Sequence, residues 1–175
     1  AELYRSVNTV LVTPEGPVGY NTDADGFLHA LKEGGAPLSG RVALLGCGGV
    51  GRTFACEAAL AGCRIVNAVR DADREMAASL RSFVQKLVPG AEYTITSLDG
   101  LEGDFDLLIN ATPVGMYPNV GVSALDITSM PGLEAVIDVI YNPDKTELIL
   151  RAEELGVPVA VGGLEMLVAQ AVYAA

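Results

Sequence analysis

Residues 44–55 read LLGCGGVGRTFA, from Leu44 to Ala55. Four of the six positions from Gly46 to Gly51 are glycine. Glycine costs about 0.5–1 kcal/mol relative to alanine inside regular structure, so such a cluster needs a reason. An apolar run, RVALLG, precedes the stretch, and a helix-like run, GVGRTFACEAALAGC, follows it. Gly46-x-Gly48-x-x-Gly51 between a strand and a helix is the setting in which this spacing is informative. In that setting Gly46 permits a tight turn, Gly48 lets backbone approach a pyrophosphate, and Gly51 lets the helix pack closely on the sheet. Gly49 adds room at the same turn, and Val50 lies in the same loop as a further candidate cofactor contact. The helix start would offer N–H groups and a positive dipole end to phosphates.

The pattern continues outward in both directions. DADGFLHALKEGG predicts a helix with Phe27, Leu28 and Leu31 on one face, stopped at Gly34-Gly35. RIVNAV is a second strand, and DADREMAASLRSFVQKLV an amphipathic helix stopped by Pro89-Gly90. EYTITS, DLLINAT, EAVIDVIY and VPVAVG are further strands. KTELILRAEELG is a helix carrying Leu148, Leu150 and Leu155, and GLEMLVAQAVYAA is the last helix. Strands alternating with helices predict a parallel sheet covered on both faces. The expected fold class is α/β, a doubly wound, Rossmann-type sheet in three αβα layers. The first 22 residues differ: SVNTVLVT and GPVGYNT flank Pro14-Glu15-Gly16 as two strands around a turn.

Composition narrows the function classes. With 50% hydrophobic and 19% charged residues in 175, the chain can build one real core. A formal net charge of −11 opposes non-specific nucleic-acid binding, which needs clustered cations. No apolar run approaches the ~20 residues of a membrane helix, so no membrane is expected. Cys47, Cys56 and Cys63 follow no zinc spacing and read as reduced, buried thiols, which fits a cytoplasmic protein without a metal. His29 reads as a surface residue of its helix.

The tip of the second strand, Val69-Arg70-Asp71-Ala72-Asp73-Arg74, is where such folds read the adenosine ribose. An acid there favours the free 2′-hydroxyl of NAD, and arginines favour the 2′-phosphate of NADP. This tip supplies both.

The stretches SVNT…GYNTDADGF, GCGGVGR, NATPVGM, DVIYNP and GGLEMLVAQA, in this order, resemble the shikimate dehydrogenases and their quinate/shikimate relatives. The resemblance covers nearly the whole chain. It implies reversible, NADPH-dependent reduction of 3-dehydroshikimate to shikimate, a step toward the aromatic amino acids. Some relatives use quinate or NAD. Asp23 matches the family's active-site aspartate, which works with a lysine of the substrate domain. Asn8 matches a contact to a substrate hydroxyl, and Asn21 and Thr22 shape the turn before Asp23. Gln170 matches a substrate-binding side chain on the last helix, and Tyr141 a tyrosine near the substrate. Thr112, Val139, Gly163 and Met166 match positions lining the nicotinamide half of the cleft. Arg70 and Arg74 match the two arginines of an NADP-type loop. Val69 and Asp71 depart from the usual Asn and Thr or Ser there, so NADP is implied with NAD left open.

The family carries about 100 residues of substrate domain ahead of this region, by the same resemblance. None of Lys32, Lys86 and Lys145 lies in a motif that matches the catalytic lysine. The expectation is therefore that residues 1–22 are the terminal strands of a largely missing substrate domain, and 23–175 the dinucleotide-binding domain. Alone, the chain would bind nucleotide without turning over substrate. The implied partners are the small-molecule substrate and the missing domain. The family's homodimer contacts would involve that domain in part, and an apolar edge left uncovered could drive association. Two other readings stand beside this one. A non-catalytic nucleotide sensor would need the glycine loop but not Asn8, Asp23 and Gln170. A methyltransferase using S-adenosylmethionine would usually end its second strand in an acid that binds both ribose hydroxyls. Arg70 beside Asp71, and the NATPVGM loop, oppose that.

Overall fold

A computed structural model describes residues 2–101 and 103–174. Two antiparallel strands come first, β1 (Thr9–Thr13) and β2 (Gly16–Tyr20), with Thr9 opposite Tyr20 and Thr13 opposite Gly16. Gly16 sits at φ 126°, a conformation that a side chain would strain. The hairpin forms its own two-stranded sheet.

The remainder alternates: α1 (Asp23–Gly34), β3 (Arg41–Leu45), α2 (Gly49–Leu60), β4 (Arg64–Val69), α3 (Arg74–Leu87), β5 (Tyr93–Ser97), β6 (Leu107–Asn110), β7 (Ala135–Asp138), α4 (Glu147–Glu154), β8 (Val159–Val161) and α5 (Gly163–Tyr173). Six strands form one sheet in the order β5-β4-β3-β6-β7-β8, and each neighbouring pair is parallel. The order reverses between β3 and β6, the point at which such sheets open a crevice beyond the strand ends.

Strand residues supply two cores by their period of two. Val42, Leu44, Ile65, Leu107, Ile109 and Ile137 face one layer, which holds Phe27 of α1, Phe54 of α2, Leu80 of α3 and Met166 of α5. Ala43, Leu45, Ala68, Leu108 and Val136 face the other, with Leu148, Ile149 and Ala152 of α4. Burial on both faces explains why β6 is LLIN with all four residues buried. The fold is the expected αβα doubly wound sheet.

Helix faces differ from expectation in places. Leu28 is exposed, and the buried face of α1 is Ala24, Gly26, Phe27, Ala30 and Leu31. One residue beyond Phe27 is a rotation of about 100°, which carries Leu28 off the core side. In α4, Leu148, Ile149 and Ala152 face the sheet, while Leu150 and, just past the helix, Leu155 are exposed. His29 is half-buried, with its ring edge against Tyr173, rather than a plain surface residue. Cys47, Cys56 and Cys63 are buried free thiols, each with its pKa raised by desolvation. No helix among the described residues is long and apolar enough to cross a membrane.

Candidate functional site

A cleft of about 310 Å³ opens at the sheet's reversal point. Its walls are Gly46–Gly48 after β3, Ala68–Arg70 at the end of β4 with Asp73 and Met76 beyond it, and Ala111–Val114 after β6. The four glycines of the turn fall into two physical groups. Gly46 has φ 91°, and a Cβ there would lie 3.0 Å from Thr112 Cγ2 and 3.1 Å from the Ala111 carbonyl oxygen. A Cβ on Gly51 would lie 3.2 Å from the Gly46 carbonyl oxygen. The protein's own packing therefore requires glycine at these two positions. Around a Cβ on Gly48 or Gly49 nothing lies within 4 Å, and both residues are exposed. No contact among the described residues accounts for their missing side chains.

Gly48 caps α2 in an extended conformation, and the Arg52 N–H donates to its carbonyl at 2.8 Å. The first N–H groups of a helix have no partner within it. The first turn of α2 holds no acidic residue, whereas α1, α3, α4 and α5 each carry at least one there. The positive end of α2 thus has no acid of its own helix to balance it. Open space, N–H groups and an uncompensated dipole end together fit a pyrophosphate. Val50, half-buried in the same turn, packs against the core.

A buried pair that sequence reading passed over fixes the turn from beneath. Asn67 Nδ2 donates to the carbonyls of Leu44 at 2.9 Å and Gly46 at 2.8 Å. The Tyr93 hydroxyl donates to Asn67 Oδ1 at 3.0 Å. Asn67 is fully buried, so the trio satisfies its amide and anchors the last turn of backbone before the cleft. The available signal was a polar residue inside the apolar run IVNAV.

At the lip, Arg70 Nε pairs with Asp73 Oδ2 and Arg74 Nε with Asp71 Oδ1, each at 2.8 Å. Both arginine side chains are largely exposed, at 76% and 51%. Asp73 is the least exposed of the four, at 25%, and lines the cleft with Arg70.

A second buried network crosses the ends of β6 and β7. Asn110 and Asp138 are register partners, and Asn110 Nδ2 donates to Asp138 Oδ1 at 3.1 Å. The same oxygen accepts from Ile140 N at 3.1 Å, while Oδ2 accepts from Thr146 Oγ1 at 2.7 Å. Asn110 Oδ1 receives the Thr112 N–H at 3.1 Å and its hydroxyl at 2.7 Å. Thr112, in the cleft wall, is thereby tied to a fully buried carboxylate. Burial pushes the Asp138 carboxyl above the usual range, opposed by its three hydrogen bonds. Beside it, Gly163 N donates to the Ile140 carbonyl at 2.9 Å, and a Cβ on Gly163 would collide with the Val139 carbonyl. Met166 is buried, at 5% exposure, between α5 and α1.

The third cluster lies where the hairpin meets α1. Asn21 Oδ1 accepts from Asp23 N at 3.0 Å and Ala24 N at 3.4 Å, so Asn21 caps the helix. Asp23 is spared that duty. Asn8 Oδ1 accepts from Thr22 N at 2.9 Å and Thr22 Oγ1 at 3.3 Å, which turns its amide nitrogen toward Asp23 Oδ1 at 3.0 Å. Desolvation raises the Asp23 carboxyl, and the Asn8 bond partly offsets this. One turn along α1, a Cβ on Gly26 would sit 2.8 Å from Gln170 Cγ, so Gln170 shares the Asp23 side of that helix. Tyr141 is 52% exposed on the loop after β7, and no hydrogen bond joins it to this cluster among the described residues.

No protein-family model matches the chain. A protein named shikimate dehydrogenase (NADP(+)) from Methanopyrus kandleri is 37% identical over 185 residues, covering 99% of this chain and 62% of that protein. A solved shikimate dehydrogenase in complex with NADP+ superposes with a TM-score of 0.85 at 34% identity, over 99% of this chain and 61% of its own. A quinate dehydrogenase from Corynebacterium glutamicum in complex with NAD gives 0.84 at 30% identity, over 99% and 62%. The chain spans about three-fifths of the length of the curated relatives it matches.

Proposed function

We propose that this chain, homologous along 99% of its length to shikimate dehydrogenases, is the cofactor-binding part of an enzyme that reversibly reduces 3-dehydroshikimate to shikimate with NADP(H). The observation that carries the reading is the open space at Gly48 and Gly49, beside a helix start with no acid of its own. In this reading Gly46–Gly51 and the α2 N-terminus hold the pyrophosphate. Thr112, Val139, Gly163 and Met166 shape the nicotinamide side, and Arg70 and Arg74 stand at the adenosine ribose.

The nucleotide supplies the hydride, and the protein must fix the substrate face and handle the proton on the reacting oxygen. Asn8, Asp23 and Gln170 form the substrate-facing group. The Asn8 amide orients one carboxylate oxygen of Asp23. An aspartate starts from an ordinary pKa of ~3.9, and the rise that burial gives Asp23 is opposed by the Asn8 bond, so Asp23 is a weak base for an alcohol proton on its own. Its role is to position and polarise, together with the family's substrate-domain lysine. In this reading Tyr141, exposed on the loop after β7, also meets the substrate. Residues 1–22 serve as the last strands of the substrate domain and 23–175 as the dinucleotide-binding domain.

A second reading, an NAD-using quinate/shikimate dehydrogenase, is favoured by Asp71 and by the likeness to the NAD-bound quinate dehydrogenase. Calorimetric titration of the chain with NADPH and with NADH tests both. NADPH binding with weaker NADH supports the first reading, and the reverse supports the second. Binding of neither refutes the assignment of the glycine turn.

A further inference from the structure

The sequence Arg70-Asp71-Ala72-Asp73-Arg74 is symmetric in charge and folds into a single tight turn, closed by Asp73 N donating to the Arg70 carbonyl at 2.9 Å. Arg70 lines the cleft and Arg74 follows four residues on, the two cations that the proposed function sets at the ribose. Each is held by an aspartate three residues away. The quartet therefore presents no net charge to an incoming phosphate.

We propose that Asp73 is a selectivity residue of the nucleotide site, an internal rival to the 2′-phosphate for Arg70 that lowers the preference for NADP(H) over NAD(H). The inference rests on the nucleotide-site reading above. Asp73 is singled out over Asp71 by position: it lines the cleft with Arg70 and is 25% exposed, whereas Asp71 is 88% exposed. A less solvated carboxylate is less screened.

Two effects of Asp73 oppose one another, and magnitude decides between them. Holding Arg70 in place saves a bound phosphate some ordering of a long side chain. An exposed pair is worth little, so that advantage is at most about a few-fold in affinity. Against it stands repulsion between one carboxylate and a group of charge near −2. At a separation of about 7 Å in water this weakens binding about sevenfold, and about fourfold at 20 mM salt. In addition, the phosphate must share or displace the Asp73–Arg70 bond. NAD(H) has a neutral hydroxyl at the same place and meets neither penalty.

The test is calorimetry on wild type and Asp73→Asn with NADPH, NADH and 2′,5′-ADP. The substitution keeps the shape, and Asp73 makes no side-chain capping bond to α3 that could be lost. At 20 mM salt, Asp73→Asn is expected to tighten NADPH and 2′,5′-ADP about fourfold and to leave NADH within about twofold; at 0.3 M salt the gain shrinks below about twofold. Glu75→Gln, which removes a nearby acid of α3, should give less than half the gain. An unchanged or weakened NADPH affinity in Asp73→Asn at low salt overturns the inference. So does an equal gain from Glu75→Gln, which would mean a diffuse field rather than a rival. If wild type binds nucleotides and only the ratio fails to move, the site reading survives. If wild type binds none of the three, both fall.

Discussion

Replacing Gly48 by alanine separates what the protein needs from what a ligand needs. In the folded chain Gly48 has φ −70° and ψ −167°, which alanine adopts without strain, and no heavy atom lies within 4 Å of the added Cβ. Alanine is a poorer helix cap than glycine by roughly 0.5–1 kcal/mol. It also narrows the unfolded ensemble, which returns about 0.4–1 kcal/mol. The two nearly cancel, so Tm should move by no more than about 2 °C for a chain of this size. Nucleotide binding should respond very differently. A methyl group in the cradle holds the pyrophosphate off the α2 N-terminus and removes one or two charge-assisted hydrogen bonds, at about 1.5–3 kcal/mol each. The expected loss is about 2–4 kcal/mol, or roughly 30- to 1000-fold in Kd. Gly46→Ala is the contrast, because φ 91° and the Thr112 methyl 3.0 Å away make it fail in stability as well. Thermal denaturation and calorimetry on the same samples decide the matter. A stable Gly48→Ala chain that binds NADPH like wild type would refute the reasoning, since the missing side chain would then make room for nothing.

Tyr93→Phe leaves Asn67 Oδ1 buried without its donor; denaturant unfolding should show a loss of about 1–3 kcal/mol, and calorimetry a weaker nucleotide affinity as the Gly46 turn loosens. Asp138 holds its proton more firmly folded than unfolded, so its contribution to stability is present below about pH 4, the unfolded value, and declines as pH rises through the raised folded value. The stability of wild type relative to Asp138→Asn should fall over that window, and a rise in the pH series would reverse the assignment. Gly26→Ala gains up to about 1 kcal/mol in helix propensity but sets a Cβ 2.8 Å from the Met166 carbonyl oxygen. Overpacking of this kind costs about 1–3 kcal/mol, so net destabilisation is expected in a melt, with an unchanged or raised Tm as the contrary result.

The element order was readable because punctuation and burial agree in this chain. Gly34-Gly35 and Pro89-Gly90 stop helices, and β6 and β7 are short apolar runs because both faces are covered. Single helix positions were less readable. Leu28, Leu150 and Leu155 are apolar residues placed outward, and composition alone does not reveal the phase of a helix. The two buried polar networks were hidden for a different reason. Asn110 and Asp138 are 28 residues apart and meet only because β6 and β7 pair in that register. Tyr93 reaches Asn67 because Asn67 opposes Ile95, two residues along β5. Register follows from the assembled sheet, so neither contact could be read from either segment alone.

The same packing bears on how the glycine turn and the Asn8–Asp23 cluster can work together. Each sits at the start of a helix, α2 and α1 respectively. Those helices are locked by Phe27 stacked on Phe54, with ring centroids 4.0 Å apart. On its other side α1 meets α5 through Gly26, where Met166 and Gln170 leave no space for a Cβ. At its own start α5 abuts the Val139 carbonyl through Gly163. A close-packed layer of three helices thus joins the groups proposed to hold the cofactor to those proposed to meet the substrate. Such layers have few soft degrees of freedom, because each contact is already at van der Waals distance. Hydride transfer tolerates little error in the placement of the reacting atoms, and misplacement by about 1 Å can cost about 100-fold. Rigidity between α1, α2 and α5 is therefore what the proposed chemistry requires of this part of the protein, and the glycine at Gly26, where α1 meets α5, serves it directly.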